Sequence, residues 1–499
     1  MLLISYGALH LLLRWSLSDT IGVDDAIEGV FTQSLAPGYD TRQPPLYTWL
    51  LWLVQQVTGP ALLSFLLLKY VLLTLTLLCY YRIAGRLQGD ARYAALTMWS
   101  LLLLYQIGWN AHEGVTQTQV LMLACAGSLL AFLRAAEHGR WQDYLLFGLA
   151  VGAGLLAKWS FGAFLFCLAA GALAVPTFRH AVLSSKTAAA LVLSAAMTTP
   201  YMLWLVGDGT DMAAVFRSAV GHTGDAGSNV DPAQIGKGLW SAVKTALGFL
   251  SPLLPILILI FPRALRPRPN PDPAPNRDLE RLAGVMVLAG LGLMVLGAVF
   301  AGIDNYKERW LHPLLIAAPL YFFARIRRAA PSDLRLRIFV GTVIAISAIV
   351  VGIRASHLVV GPPLCNKCRP LVPYAGLAEK LAQAGFRGGT IVVRNGNTAG
   401  NLRAAFPDVR IYVLNNPTFH PPAAPDQAGR QCLVVWPVHN LSNGFPEDAV
   451  QYLDLPRSAA PSFEIREARI SWNLIGRPPD ARVSRWDYVL FDGPRGRCR

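Results

Sequence analysis

Hydrophobic residues form long apolar runs separated by short polar loops up to about residue 356. Runs of about 18 or more apolar residues are long enough to cross a bilayer as helices. The pattern predicts about eleven spans, near 2–18, 61–81, 91–107, 117–134, 143–157, 159–176, 187–206, 240–262, 283–302, 311–324 and 338–355. The stretch 2–18 lacks a basic start and a small-residue cleavage site, so we interpret it as the first span rather than a signal peptide.

The remaining residues, 356–499, have the composition of a soluble domain. We expect a helix over 375–385 and strands over 390–394, 409–414 and 432–436, the pattern of a small α/β domain. The chain is thus predicted to consist of a polytopic α-helical membrane module, 1–355, and an α/β domain, 356–499. The proline-rich stretch Arg263–Arg281 is predicted to be a flexible linker, because proline does not fit inside a regular helix.

Charge predicts the orientation of the spans. With the N-terminus in the cytoplasm, the inside loops hold 17 arginine and lysine residues. The outside loops between spans hold six, Arg42, Lys158, Arg217, Lys237, Lys307 and Arg309. This bias follows the positive-inside rule, and an odd number of spans then exports residues 356–499. We therefore expect a multi-pass protein of the bacterial inner membrane with a periplasmic C-terminal domain. The net charge of +14 does not indicate nucleic-acid binding, since the arginines lie mostly in loops between spans.

The first outside loop is unusually acidic. It contains Asp19, Asp24, Asp25, Glu28 and Asp40. One interpretation is that a carboxylate acts as general base on an acceptor hydroxyl at the membrane surface, while a neighbouring acid raises its pKa or helps to bind a divalent cation. The alternative is that the acids cap a helix beginning near residue 24, where negative charge suits the helix dipole. The apolar segment 47–57 is too short to span and fits an interfacial helix.

Several motifs of the membrane part resemble one family of enzymes. They are Asp24-Asp25, Gly38-Tyr39, Pro44-Pro45-Leu46 with Trp49, GLLAKW at 154–159 and KERWLHPLL at 307–315. Together they resemble the membrane-embedded glycosyltransferases of the GT-C fold, especially the protein mannosyltransferase-like family 39 and the lipid A aminoarabinose transferases of family 83. The CNKC motif at 365–368 and GNLRAAFPDVR at 400–410 also resemble a branch related to rhizobial galacturonosyltransferases.

The resemblance implies a polyprenyl-phosphate sugar donor, an acceptor outside the cytoplasmic membrane, and Asp24 as the catalytic base beside Asp25. It also places Tyr39 and Arg42 among the substrate-binding positions. Relatives often carry His or Lys directly before the proline pair. This chain has Gln43 there, so either the preceding Arg42 replaces that cation or its role is lost.

A departing phosphate needs cations that stabilise its charge. Outside cations are few, so Lys158, Lys307 and Arg309 are candidates to bind the donor phosphate. The alternative for each is a side chain that snorkels to the interface, which is also our interpretation of Lys69 in the second span. His112, Glu113 and His222 are interpreted as surface or acceptor-facing residues rather than metal ligands.

Cys365 and Cys368 form a CxxC pair in the exported region, where a structural disulfide is expected. A second bridge could join Cys432 and Cys498. The function that we predict is a glycosyltransferase that moves a hexosyl or pentosyl group from a polyprenyl phosphate to a lipid A, lipopolysaccharide or other glycolipid acceptor. The sequence establishes no cofactor, and a divalent metal at the acidic pair stays open.

Two other classes of protein remain possible. A polytopic transporter or flippase of a lipid-linked sugar would show repeated halves and broken helices at mid-membrane, and neither is visible in the sequence. A membrane scaffold that presents the C-terminal domain is the third possibility. The sequence does not identify the sugar, the acceptor or the oligomeric state.

Overall fold

A computed structural model gives the fold of the chain. It describes residues 2–114, 116–207, 209–211, 215, 232–265, 276–362, 364–365, 368–414, 416, 418–423, 431–438, 444–456, 463–472, 474, 478, 481–492 and 498. His222, Arg217, Arg266 and Arg268 lie outside these residues, as does most of the proposed linker.

Helices make up the described part before residue 362. They are α1 (Leu2–Leu17), α2 (Val23–Phe31), α3 (Leu46–Thr58), α4 (Leu62–Gln88), α5 (Ala91–Trp99), α6 (Tyr105–Gly108), α7 (Gln117–His138), α8 (Trp141–Ala157), α9 (Phe161–Ala174), α10 (Pro176–Val182), α11 (Ser185–Gly207), α12 (Pro232–Phe249), α13 (Leu253–Ile260), α14 (Arg277–Phe300), α15 (His312–Leu315), α16 (Ala318–Arg328) and α17 (Asp333–Val359). Among the described helices, α4, α7, α11, α14 and α17 are long and apolar enough to cross a membrane.

Most predicted spans coincide with a helix to within a few residues, but three are broken. The predicted span 240–262 is interrupted at Pro252, where α12 ends and α13 begins, because proline lacks the N–H that a continuous helix requires. The span 91–107 breaks after Trp99, and Leu104 beyond the break forms a β-bridge to Pro252. The span 311–324 divides into α15 and α16.

The proline-rich linker is shorter than predicted at its C-terminal end. Helix α14 begins at Arg277, because the side chain of Asn276 accepts hydrogen bonds from the backbone N–H groups of Asp278 and Leu279, both at 3.1 Å. This is a helix N-cap. Residues 277–281 are therefore the first turn of a helix and not part of a linker.

The C-terminal residues form a five-stranded mixed sheet with helices, which we call the α/β unit (residues 368–498). Its elements are α18 (Tyr374–Gln383), β1 (Gly389–Val393), α19 (Gly396–Ala405), β2 (Arg410–Val413), β3 (Gln431–Pro437), α20 (Glu447–Tyr452), β4 (Arg466–Ser471) and β5 (Val483–Phe491). The strand order is β2-β1-β3-β5-β4. Strands β1, β2 and β3 run parallel, and β5 pairs antiparallel with β3 and β4. The predicted helix 375–385 and the three predicted strands are confirmed.

The two largest hydrophobic clusters of the described residues show how the parts of the chain meet. The larger lies among the membrane helices. The second lies in the α/β unit and also includes Val30, Phe31 and Tyr39 from the first outside loop. The acidic loop therefore contributes to the core of the α/β unit, and the two parts of the chain meet at α2.

Candidate active site

Helix α2 directs its three carboxylates to two different environments. Asp25 and Glu28 are three residues apart, so they share a face of the helix, and both are buried. Asp24 is exposed to solvent. Asp24 and Asp25 lie in the first turn, where negative charge suits the helix dipole. The helix thus provides one accessible carboxylate and two buried ones.

Asp25 forms a buried ion pair with Lys69 of α4. The Oδ2 atom of Asp25 lies 3.4 Å from Nζ of Lys69, and both side chains are at most 5% exposed. Lys69 also donates a hydrogen bond to the backbone oxygen of Glu113. Our interpretation of Lys69 as a snorkelling residue is wrong, because the side chain faces the bundle interior. Burial raises the pKa of Asp25, and the ammonium of Lys69 opposes that shift.

This pair argues against a divalent cation shared by Asp24 and Asp25. The Lys69 ammonium already neutralises Asp25, and a metal ion placed beside it would be repelled. The two carboxylates also differ in exposure, since Asp24 is open to solvent and Asp25 is buried. Among the described residues, no group of three or more His, Cys, Asp or Glu side chains is arranged to hold a metal ion.

Glu28 is the second buried carboxylate of α2. Its Oε2 accepts a hydrogen bond of 2.6 Å from the hydroxyl of Thr48 on α3, and its Oε1 accepts one from the amide of Gln117 on α7. Burial raises the pKa of Glu28 to about 8, against the effect of these two hydrogen bonds. Glu28 therefore connects α2 to two helices of the membrane part.

The positive charges of side chains from three separate loops oppose a rise in the pKa of Asp24. Desolvation raises the pKa of Asp24, while Arg309, Arg369 and Lys158 counteract this shift in that order, followed by Lys69. Arg309 lies between α14 and α15, and Arg369 lies at the start of the α/β unit; both are exposed. The charges of Lys158 and Arg309 thus both affect the pKa of Asp24, as does that of Arg369, which the sequence did not single out.

Lys158 lies in the turn between α8 and α9. Its Nζ donates a hydrogen bond of 3.0 Å to the hydroxyl of Thr118 on α7. Burial, helped by the charge of Arg309, lowers the pKa of Lys158 to about 8, and Asp24 opposes this change. An ammonium held in this way has donors left for an anionic ligand.

Three other predicted substrate-binding residues have different surroundings. Tyr39 is 2% exposed, its hydroxyl donates to the backbone oxygen of Ser34 at 2.9 Å, and its ring packs against Phe31. Arg42 is exposed and paired with Asp40 at 2.9 Å. Lys307 lies over the ring of Trp310, 5.5 Å from its centroid.

The motif that contains Tyr39 has a packing explanation. A Cβ atom at Gly38 would lie 2.2 Å from the ring of Trp204 on α11. Only glycine allows this close approach. Gly38-Tyr39 therefore holds the loop between α11 and the α/β unit.

A buried polar cluster supports the helix that precedes α2. His112 stacks on His10 of α1 with ring centroids 3.8 Å apart, and the hydroxyl of Tyr6 lies 2.7 Å from its Nε2. Arg354 near the end of α17 donates to the backbone oxygen of His112 at 2.9 Å and pairs with Glu113 at 2.6 Å. The expectation of an exposed His112 is wrong, and burial lowers its pKa.

The polar residues of α1 gave a signal for this cluster. Ionisable side chains within an apolar helix usually face the protein interior and a partner. His10 and Arg14 are both buried, and Arg14 donates to the backbone oxygens of Ser18 and Thr20. Two such residues on α1 therefore indicate that this helix packs against polar groups inside the protein.

The structure brings together both cysteine pairs considered from the sequence. Cys365 and Cys368 are joined by a disulfide at the start of the α/β unit. A second disulfide joins Cys432 on β3 to Cys498. The remaining cysteines, Cys79, Cys125 and Cys167, are unpaired within the membrane part.

Comparison with known proteins identifies relatives over most of the chain. The dolichyl-phosphate-mannose-protein mannosyltransferase family model matches residues 42–204. The lipopolysaccharide core galacturonosyltransferase RgtA of Rhizobium johnstonii is 30% identical over 87% of this chain and 86% of its own length. RgtB of the same organism is 28% identical over 91% and 90%.

A solved structure has the same fold. The crystal structure of ArnT from Cupriavidus metallidurans bound to undecaprenyl phosphate aligns with a TM-score of 0.61 over 97% of each chain, at 14% sequence identity. The resemblance predicted from the loop motifs is confirmed by these findings. Because RgtA shares 30% identity along most of both sequences, the chain belongs to its family of GT-C membrane glycosyltransferases.

Proposed function

We propose that this protein transfers galacturonic acid from a polyprenyl-phosphate donor to the core of lipopolysaccharide. The choice of sugar and acceptor is supported by RgtA and RgtB, which are lipopolysaccharide core galacturonosyltransferases. The choice of donor lipid is supported by the undecaprenyl phosphate bound to ArnT. The observation that carries the proposal is the exposed carboxylate of Asp24 on a helix held between the membrane helices and the α/β unit. The charges of Arg309, Arg369 and Lys158 oppose the rise in its pKa. The site has both the base and the anion-binding groups that this reaction needs.

The proposed step is a single displacement. A hydroxyl oxygen of the acceptor attacks the anomeric carbon of the donor sugar, and Asp24 accepts the hydroxyl proton. The bond between the anomeric carbon and the phosphate oxygen breaks, and the polyprenyl phosphate leaves with that electron pair. A phosphate leaves without being protonated, so the site needs one base and no general acid.

The cations have two anionic groups to bind. Lys158 and Arg309 are suited to the donor phosphate, whose charge increases as the bond breaks. A galacturonosyl donor also has a sugar carboxylate, and arginine binds carboxylates with two parallel hydrogen bonds. Arg369 at the start of the α/β unit is our candidate for that group.

We infer that the reaction takes place at the periplasmic face of the inner membrane. The distribution of arginine and lysine supports a cytoplasmic N-terminus, and eleven spans would then place residues 356–499 in the periplasm. Helix α2 follows α1 directly, so Asp24 would lie close to the outer interface, where a lipid-linked sugar and lipopolysaccharide can meet. In this arrangement 1–355 is the membrane module and 356–499 is the exported domain.

Mass spectrometry of lipopolysaccharide from a deletion strain tests the function. We expect core oligosaccharide that lacks galacturonic acid, with the modification restored by the wild-type gene and not by an Asp24→Asn version. Purified protein should also release polyprenyl phosphate from a polyprenyl-phosphate galacturonic acid donor when core acceptor is present. A flippase would instead leave the donor intact in detergent, and unchanged lipopolysaccharide in the deletion strain would contradict the proposal.

A further inference from the structure

The loop that carries α2 is attached to the α/β unit along its whole length. Five side chains make the attachments: Ser18 to the backbone oxygen of Pro370, Thr20 to that of Val372, Asn401 to both backbone groups of Ile21, Gln33 to both backbone groups of Ile411, and Thr418 to the backbone oxygen of Tyr39. The partners lie between 352 and 380 positions apart in the sequence. The segment 18–39 is therefore fixed at its beginning, middle and end by a distant part of the chain.

Asn401 on α19 makes the attachment nearest to Asp24. Its Oδ1 accepts a hydrogen bond of 2.8 Å from the backbone N–H of Ile21, and its Nδ2 donates one of 3.2 Å to the backbone oxygen of the same residue. Asn401 and Ile21 are both buried. Backbone groups buried without a partner are costly, so this side chain holds the irregular segment that leads into α2.

Gly400 brings the backbones of α19 and α2 into direct contact. A Cβ atom at Gly400 would lie 2.0 Å from the backbone oxygen of Ala26, and Ala26 is completely buried. A residue larger than glycine would force the two helices apart. The side of α2 at Ala26 thus rests on α19, while Asp25 and Glu28 hold the side facing the membrane helices.

We propose that α19 is a positioning element for catalysis, which acts through Asn401 and Gly400 to set the location of Asp24. This inference rests on the proposed role of Asp24 as the base. Helix α2 has nine residues, too few for a helix to be stable alone in water, so its location depends on its packing partners. A displacement of about 1 Å at a reacting group can cost about 10²-fold in rate. Asn401 is a positioning residue and does not itself touch the reacting groups.

The kinetic test compares Asn401→Ala with the wild type. We expect kcat to fall about 10- to 100-fold while the KM for the lipid donor changes by less than about twofold, because the cations stay in place. Asn401→Asp keeps the acceptor for the N–H of Ile21 and should recover part of the rate. Gly400→Ala should reduce kcat as well, whereas the control Gly444→Ala should not, since a Cβ there meets nothing within 4 Å.

Hydrogen exchange separates positioning from a general loss of structure. In Asn401→Ala we expect faster exchange in peptides covering 18–33, with the strands of the α/β unit unchanged. Gln33→Ala removes the attachment at the far end of the same segment and should loosen the same peptides. Unchanged kcat in Asn401→Ala, or faster exchange throughout the α/β unit, would overturn the inference. An inactive wild type would contradict the proposed function alone, since the exchange pattern still decides whether α19 holds α2.

Discussion

Asp24 and Asp25 are neighbours in the sequence but have different chemistry. One helical step turns Asp25 towards Lys69 inside the protein and leaves Asp24 exposed. A carboxylate paired with a buried ammonium is a poor base, because removing its charge would leave the ammonium unpaired. Asp24 is exposed and can accept a proton without leaving a buried ammonium unpaired. We therefore favour Asp24 over Asp25 as the base.

Asp24→Asn should abolish most transfer without disturbing the fold. The amide keeps the size of the side chain but cannot accept a proton, and such bases typically contribute about 10²- to 10⁴-fold in rate. We expect a loss in that range, measured as galacturonic acid incorporated into core acceptor. Asp19→Asn is the matched control, because Asp19 is an exposed acid of the same loop. Near-normal transfer by well-expressed Asp24→Asn protein would remove Asp24 as the base.

Lys158→Ala should weaken use of the lipid donor. A hydrogen bond to a charged group is worth about 1.5–3 kcal/mol, so kcat/KM for the donor should fall about 10- to 100-fold. Lys307→Ala is the comparison, since Lys307 lies over Trp310, and we expect it to change the same constant by less than about threefold. Equal effects of the two substitutions would mean that Lys158 has no special role in donor binding.

At the scale of elements, Glu28 on α2 should make stability depend on pH. Its pKa in the folded protein is about 8, above the ordinary value of 4.5. Between these values the folded state holds a proton that the unfolded state releases. Stability from this residue is therefore present at low pH and falls as pH rises towards 8, by at most about 1.4 kcal/mol per pH unit.

Glu28→Gln stays neutral at every pH and should remove this dependence. Melting temperatures measured between pH 5 and 9 should fall less steeply for Glu28→Gln than for the wild type. Glu379 is an exposed residue of α18, so Glu379→Gln should keep the wild-type dependence of melting temperature on pH. Identical slopes in all three proteins would show that Glu28 does not titrate in this range.

The contact between α2 and α4 supplies another prediction. Lys69→Met leaves the carboxylate of Asp25 buried without a partner, which typically costs about 3–5 kcal/mol. We expect a lower melting temperature in detergent, with much of the loss recovered when Asp25→Asn is added. A double variant no more stable than the single one would indicate that the ion pair contributes little.

The positions of secondary-structure elements were predicted from the sequence better than the contacts between distant residues. Strands β1 and β3 are short β-branched runs flanked by turn residues, a pattern with local causes. Lys69 was misread because its partner is 44 positions away and only the packing of α2 against α4 brings them together. Arg369 was missed for the same reason, since its charge can affect the pKa of Asp24 only once the α/β unit packs against the rest of the chain. The break after Trp99 has no proline or glycine to signal it.

At the scale of the whole molecule, the α/β unit and the membrane helices both contact the loop that carries α2. The two disulfides of the C-terminal region are consistent with an oxidising compartment, where such bonds persist. The positive-inside bias supports the same placement independently. Since α2 contacts both parts, a base at Asp24 would act on the side of the membrane that holds the α/β unit.

An enzyme fusion at Arg499 tests this orientation. Alkaline phosphatase requires export to become active, so we expect high phosphatase activity and no fluorescence from a green fluorescent protein fused at the same residue. Fusions near Arg140, in the loop after α7 that we expect to be cytoplasmic, should give the opposite result. In the unreduced protein, a thiol reagent should label none of Cys365, Cys368, Cys432 and Cys498. Strong fluorescence at Arg499 together with labelled cysteines would place the α/β unit in the cytoplasm, and Asp24 would then face the wrong side of the membrane for lipopolysaccharide.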